Sequence, residues 1–243
     1  AAAWAGRDPR FIHVRQPENI GPARNFLWLR DNAASPYFMW RAYDDLSSDD
    51  YVARLAAVLD RDPRLGLAVG RVEARETRRG VERVRVTPYR APTGSWRPLS
   101  IARGMRAAHQ SWFYGLWRRE AAIEVFDAVW TAYPHAWGSD HLTLDFLALE
   151  QRIGGDDAAV FVQRIIPGRG GGAMIGARAL AALRAAYRAH LTARMRALPF
   201  SAAERAALAV VIDRQAGRRV VGRLKLLRRG VKERLGLYQR RAR

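Results

Sequence analysis

The sequence contains no cysteine, which excludes disulfides and thiolate metal sites and permits, without requiring, a reducing compartment. Lysine is almost missing as well: Lys225 and Lys232 are the only two, and arginine supplies the other forty of the 42 cations. A GC-rich genome, whose codons favour Arg and Ala, accounts for this bias without any functional demand for guanidinium groups. No apolar run approaches the ~20 residues needed to span a bilayer. The opening stretch Ala1 to Gly6 has no initiator Met, basic leader or cleavage pattern, and so does not read as a signal peptide. It reads as the end of an amphipathic helix, and the expectation is a chain that starts inside a domain. The histidines His13, His109, His135, His141 and His190 show no paired metal-ligand spacing. Neither a serine nucleophile elbow nor a phosphate-loop motif occurs.

What is present suffices for a folded enzyme or binding domain. Hydrophobic residues make up 49% of 243 and aromatics 10%, which argues for a buried core and against disorder. The formal net charge of +19 is unevenly placed. Residues 214–243 hold twelve Lys or Arg against one acid, Glu233, a net +11 that leaves +8 for the other 213 residues. The basic excess is therefore largely a property of the C-terminal tail.

The hydrophobic pattern predicts alternating elements. Phe11 to Arg15 alternates as a strand, and Pro22 to Arg30 reads as a helix with proline in its first turn. Tyr37 to Ala42 is an apolar strand leading into Asp44-Asp45. A helix follows, capped by Ser48 or Asp49, with Val52, Leu55, Ala56 and Leu59 as its apolar stripe. Leu65 to Ala74 is a strand, and Arg79-Gly80 turns Val81 to Thr87 back on it as a hairpin. Helices are expected over Ile101 to His109, Arg119 to Tyr133, and Asp140 to Gln151. The last is capped by Ser139 and closed by Gly154-Gly155; a late strand covers Val160 to Ile165. This order predicts an α/β fold with a mixed, mainly parallel sheet flanked by helices. Gly168 to Gly172 reads as a linker, since no strand-to-helix fingerprint surrounds it. Beyond it the pattern is helical. One stripe comprises Leu180, Leu183, Tyr187, Leu191 and Met195; Ser201 and Glu204 form a capping box; a further stripe comprises Val220, Leu224, Leu227, Val231 and Leu235.

Three segments carry candidate chemistry. Asp44 and Asp45 are adjacent acids after an apolar strand, where ligands bind in open α/β sheets. Adjacent carboxylates repel and suit a hard divalent cation that bridges them to phosphates; they equally suit an acidic turn at the start of the next helix. Asp140, within Trp137 to His141, sits at a helix start and reads either as a general base facing a cleft or as a plain helix-start acid. Asn19 to Asn25, with Arg24, reads either as a loop able to hold a diphosphate or as a turn plus surface helix.

Taken in order, these segments resemble glycosyltransferase family 2, the inverting enzymes of GT-A fold. The resemblance rests on Arg7 to Asn25, on Tyr37 to Leu46, on Ser111-Trp-Phe-Tyr-Gly-Leu-Trp-Arg-Arg119 and on Trp137 to His141. It covers roughly residues 1–167, followed by the linker 168–172 and a basic helical extension, 173–243. It implies transfer of a sugar from a nucleotide-diphosphate sugar to a hydroxyl of a glycan or lipid-linked acceptor. It implies Mn²⁺ or Mg²⁺ on Asp45, donor contacts from Asp44, Arg24 and Asn19, and Asp140 as the general base. The family often carries another aspartate two places before the pair, where this chain has Ala42. By the same resemblance, the chain begins after the family's opening strand, helix and strand. The basic stripe over residues 214–243 suggests peripheral contact at the inner, cytoplasmic face of a membrane. The alternative class is a non-catalytic basic α/β module that binds anionic lipid or nucleic acid; a charge confined to an amphipathic helix argues against nucleic acid.

Overall fold

The computed structural model describes residues 2–133, 138–166 and 175–235. The first half contains α1 (Ala2–Ala5), α2 (Gly21–Asn32), β1 (Tyr37–Phe38), β2 (Leu46–Ser47), α3 (Tyr51–Arg61), β3 (Leu67–Arg78) and β4 (Val81–Thr87). Then come α4 (Arg97–Ala107), a 3-10 turn (Gln110–Tyr114), β5 (Leu116–Arg118), α5 (Arg119–Trp130), α6 (Ser139–Leu149) and β6 (Ile153–Ile165). Three helices follow: α7 (Ala177–Ala197), α8 (Ala202–Arg219) and α9 (Arg223–Arg234). The expected linker at Gly168 to Gly172 and residue Trp137 lie outside the described residues.

The fold is mixed α/β. Its sheet runs β1-β5-β3-β6-β2, with β4 paired to the later part of β3. The sheet is not mainly parallel as expected. β3 and β6 run parallel from Leu67 opposite Ile153 to Glu76 opposite Ile165, and the other four pairings are antiparallel. Alternating strands and helices give a parallel sheet only where each crossover returns to a neighbouring full-length strand. Here β1 and β2 are two-residue strands that run against β5 and β6.

Local signals correspond to local structure. The β3–β4 hairpin turns at Arg79 and Gly80, both at positive φ (51° and 79°), the conformation of a two-residue turn matched to strand twist. The Ser201–Glu204 capping box forms in both directions. Other expectations are corrected. Phe11 to Arg15 is not a strand: Phe11, Ile12 and Val14 are exposed, and no described strand lies beside them to take up their backbone groups. The strand at Tyr37 stops after Phe38, because Trp40 turns into an aromatic cluster. It lies 4.4 Å from Phe126 and 5.0 Å from Phe113, and its Nε1 donates to the Phe26 carbonyl. Such ring pairs are worth about 0.5–1.5 kcal/mol each beyond their buried area. Helix α3 is rotated from the expected face: Tyr51, Leu55, Val58 and Leu59 are buried and Val52 is exposed. Its N-cap is Asp50, and Ser48 contributes its backbone carbonyl to Tyr51 N–H. Helix α6 is preceded by Gly138 at φ 84°, so Ser139 is its first residue instead of its cap. Gly154 and Gly155 do not close that helix; they lie in β6. A Cβ at Gly155 would stand 2.4 Å from the Val69 carbonyl oxygen, so the strands approach too closely there for a side chain.

The C-terminal helices share the core of the sheet domain. Leu183, Tyr187, Leu191, Met195, Leu208 and Ile212 belong to the same buried cluster as Leu67, Trp117 and Leu147. A buried polar network ties them together. The Asp145 carboxylate accepts from Tyr187 Oη (2.5 Å) and from Gln215 Nε2 (3.0 Å). Gln215 also donates to the Met105 carbonyl, and Arg219 donates to the carbonyls of Met105 and Ala108 at the end of α4. Arg152 and Arg194 bridge Glu124 and Glu150, joining α5, α6, β6 and α7.

Candidate functional site

Asp44 and Asp45 lie in the turn between β1 and β2. That turn is pinned to the end of β6. The backbone N–H of Arg164 donates to Asp45 Oδ1 at 3.1 Å, and the Arg164 side chain donates to the Asp44 carbonyl. Three residues after Asp45, Ser48 N–H donates to Val160 O at 2.9 Å. Burial raises the Asp45 carboxyl above its ordinary range; the Arg164 N–H lowers it, the charge of Asp44 adds to the rise, and Arg41 and Arg164 oppose it.

Asp140 sits in the first turn of α6, where the helix dipole favours an acid. Burial nonetheless pushes its carboxyl upward, against the His141 N–H that bonds Oδ1 at 2.7 Å and against the charge of Arg219. Asp140 lines a cavity of about 320 Å³ with Phe26, Gln110, Tyr114, Trp130 and Gln163. Beside it, the buried Tyr133 hydroxyl has no hydrogen-bond partner among the described residues. Burial, with Asp140 close by, raises that phenol to about 12.

Tyr114 connects the two acid sites. Its ring stacks on Phe161 of β6, with centroids 5.7 Å apart and planes 3° apart. Its phenol is raised first by burial and then by the charges of Asp45, Asp140 and Asp44 together. One phenol thus lies within electrostatic reach of all three carboxylates. They do not line one hollow. Asp44 faces a second cavity of about 500 Å³ with Tyr43, Arg75, Glu82 and Arg164. Gln163 and Arg164 are consecutive on β6 and face the two hollows in turn, as strand alternation requires. The strand end forms the ridge between them, and Asp45 is bonded to that ridge.

The expected donor contacts from α2 are not assembled here. Asn19 uses its side-chain oxygen to accept from Gly21 N–H at 3.0 Å, closing the turn that starts the helix. Arg24 is exposed and lines neither cavity; Pro22, Ala23 and Phe26 of the same helix line the Asp140 hollow instead. Arg118, of the Arg118-Arg119 pair, donates to the carbonyls of Leu59 and Leu65 and so serves the fold. Gln163 carried no signal in the sequence. Tyr114 had one, its place beside Gly115 in the Ser111 to Arg119 segment. No family model, curated protein or solved structure matches the chain.

Proposed function

We propose that the chain carries the metal-binding and base-bearing part of an inverting glycosyltransferase acting on a nucleotide-diphosphate sugar, with a GT-A-like fold. The observation that supports this reading is Tyr114: its phenol, raised first by burial, also feels the charges of Asp45, Asp140 and Asp44, so the three acids named from the sequence lie around one side chain, on the two sides of the β6 ridge. Among the described residues, no group of three or more His, Asp or Glu is placed to hold a metal. A pair of carboxylates fits Mg²⁺ or Mn²⁺ in a site that substrate phosphates complete, since Mg²⁺ is commonly held by one or two carboxylates plus phosphate oxygens. Asp45 would be the ligand, and Asp44 would contact the donor. The upward pressure on the half-buried Asp45 carboxyl is what a bound cation relieves. When bound, the cation offsets charge on the leaving diphosphate.

Asp140 takes the proton of the acceptor hydroxyl as its oxygen bonds to the anomeric carbon. The bond from that carbon to the diphosphate breaks, and its electron pair leaves with the diphosphate. Attack opposite the leaving group inverts the anomeric centre. A carboxyl raised by burial is better matched to this work near neutral pH than an ordinary one. The acceptor is a glycan or a lipid-linked glycan. Peripheral contact with an anionic membrane surface through residues 214–243 belongs to the same proposal. It is supported by the exposed apolar residues Leu224, Leu227 and Val231 of α9, interleaved with Lys225, Arg228 and Lys232. No helix among the described residues is long and apolar enough to cross a membrane.

The test is a transfer and donor-hydrolysis assay with Mn²⁺ or Mg²⁺. Asp140→Asn is expected to lower turnover about 10²- to 10⁴-fold with donor affinity retained. Asp45→Asn is expected to abolish metal-dependent turnover. Turnover unchanged in both variants would overturn the assignment.

A further inference from the structure

A third hollow, of about 460 Å³, adjoins the Asp140 cavity and has the opposite chemistry. Arg106, His109, Gln110, His141, Arg218 and Arg219 line it, and no acid among the described residues does. Gln110 lines both hollows, and His141 follows Asp140 in the chain, so these residues form the partition between them. The hollow is built from five separate elements: the end of β4, the end of α4, the 3-10 turn, the start of α6 and the end of α8.

Its cations are largely uncompensated. Neither Arg106 nor Arg218 has an ion pair among the described residues. Arg219 is fixed by its bonds to the Met105 and Ala108 carbonyls, yet among the described residues its buried Nε has no partner, nor has His141 Nδ1. The carboxylates that act on Arg219 are Asp140, in the adjoining hollow, and Asp145, which also acts on Arg218 and is hydrogen-bonded to Tyr187 and Gln215. The crowding registers on three of these groups. Arg218 is lowered by burial and then by Arg219 and Arg106. His109 is lowered by burial, Arg219 and Arg85. His141 is lowered to about 3 by burial, then by Arg219, His109 and Arg218. Guanidinium groups gathered around a polar hollow without a carboxylate match the planar, bidentate recognition of phosphate oxygens.

We infer that this crevice binds a phosphate or diphosphate group, and that the group belongs to the acceptor. Binding stands on the lining residues alone; assigning the anion to the acceptor rests on Asp140 being the base. From this crevice an acceptor phosphate would lie just across the Gln110–His141 partition from Asp140. The chain leaves the crevice through Arg218 and Arg219 into α9, whose exposed face alternates apolar and cationic residues. A lipid diphosphate would therefore have its headgroup in the crevice and its hydrocarbon directed toward that face.

The first probe is inorganic pyrophosphate, titrated calorimetrically in chelator so that the Asp44–Asp45 pair holds no metal. Binding is expected, weakened about tenfold or more in Arg106→Gln/Arg218→Gln, since each removed guanidinium takes charge-assisted hydrogen bonds with it, and unchanged in Asp45→Asn. Undiminished binding in the arginine variant, or no binding to the native chain, would overturn the site. Histidine resonances give a second measure that needs no variant: pyrophosphate is expected to raise the titration midpoints of His109 and His141 and to leave His13 unmoved. Unmoved His109 and His141 would also overturn it. Two further arms separate the sources of phosphate. A short-chain alkyl diphosphate is expected to lose affinity in the arginine variant. A nucleoside diphosphate with Mg²⁺ is expected to lose it in Asp45→Asn; if its loss tracks the arginine variant instead, the acceptor assignment fails.

Discussion

Helices α7 and α9 carry the same kind of sequence pattern and meet opposite fates. Along α7, Leu180, Leu183, Tyr187, Leu191 and Met195 recur at helical spacing and are at most 5% exposed. Along α9 and its C-cap, Leu224, Leu227, Val231 and Leu235 recur in the same way and are 56% to 68% exposed. The difference lies in which face docks. Helix α9 touches α7 through its polar side: Glu233 accepts from the Ala177 N–H at 3.0 Å, satisfying a free donor at the α7 N-terminus, and Arg229 pairs with Glu233 at 3.5 Å. A periodic apolar stripe therefore specifies that a face exists, and the neighbouring surface decides whether that face is inside.

The largest effect that tests this contrast is Leu191→Ala. Leu191 is fully buried in the core shared by the sheet and α7. Truncation removes buried methyl groups and leaves a cavity, at a cost of about 2–5 kcal/mol. Urea unfolding followed by far-UV circular dichroism reads the shift in midpoint. A loss under about 1 kcal/mol would mean that α7 is not part of that core.

The second effect lies on the buried side of the same contrast and depends on pH. Burial raises the Asp145 carboxyl to about 6 from 3.8, with Arg219, Tyr187 and Gln215 opposing it. The folded state thus holds the proton more tightly than the unfolded chain. Its contribution is complete below about pH 3.8 and is lost as pH rises through 6. A shift of this size corresponds to about 3 kcal/mol. Asp145→Asn has no such proton, so the stability of the native chain relative to the variant is expected to fall between pH 4 and pH 7. Urea midpoints at four pH values check it, and parallel curves for the two proteins would remove the attribution to Asp145.

These results mark what could be read from the chain itself. The α7 stripe, the capping box at Ser201 and the Arg79-Gly80 hairpin were legible because each is settled within a few residues. The Phe11 to Arg15 alternation misled because a strand also needs a partner, and pairing is not written in one segment. The acids of the candidate site were legible as residues; their relation through Tyr114 was not, since it depends on β6 bringing Phe161, Gln163 and Arg164 against the Asp44–Asp45 turn. The cationic crevice was less visible still. Arg106 and Arg218 are separated by more than a hundred residues, and the charge of residues 214–243 reads from sequence as a tail, although Arg219 is bonded to the end of α4 and the exposed Arg218 lines the crevice beside it.

The smallest effect on stability falls on α9 and carries the largest effect on partnership. Leu224→Ser/Leu227→Ser changes two side chains that are 61% and 68% exposed. Surface substitutions of this kind stay within about 0.5 kcal/mol of the native stability, so the urea midpoint is expected to hold, in contrast to Leu191→Ala. Binding to vesicles rich in anionic lipid is expected to fall about tenfold or more, because each leucine contributes several methyl and methylene groups at about 0.8 kcal/mol per buried carbon. Flotation of the native chain, of this variant and of a chain ending before residue 223, where α9 begins, separates the contributions. If charge alone held the protein to the surface, the leucine variant would float as the native chain does and only the shortened chain would fail. If both leucines reach the acyl boundary, the variant loses binding even at low salt, where the arginines and lysines of α9 act most strongly. Equal flotation of all three forms would leave the α9 stripe without a membrane role.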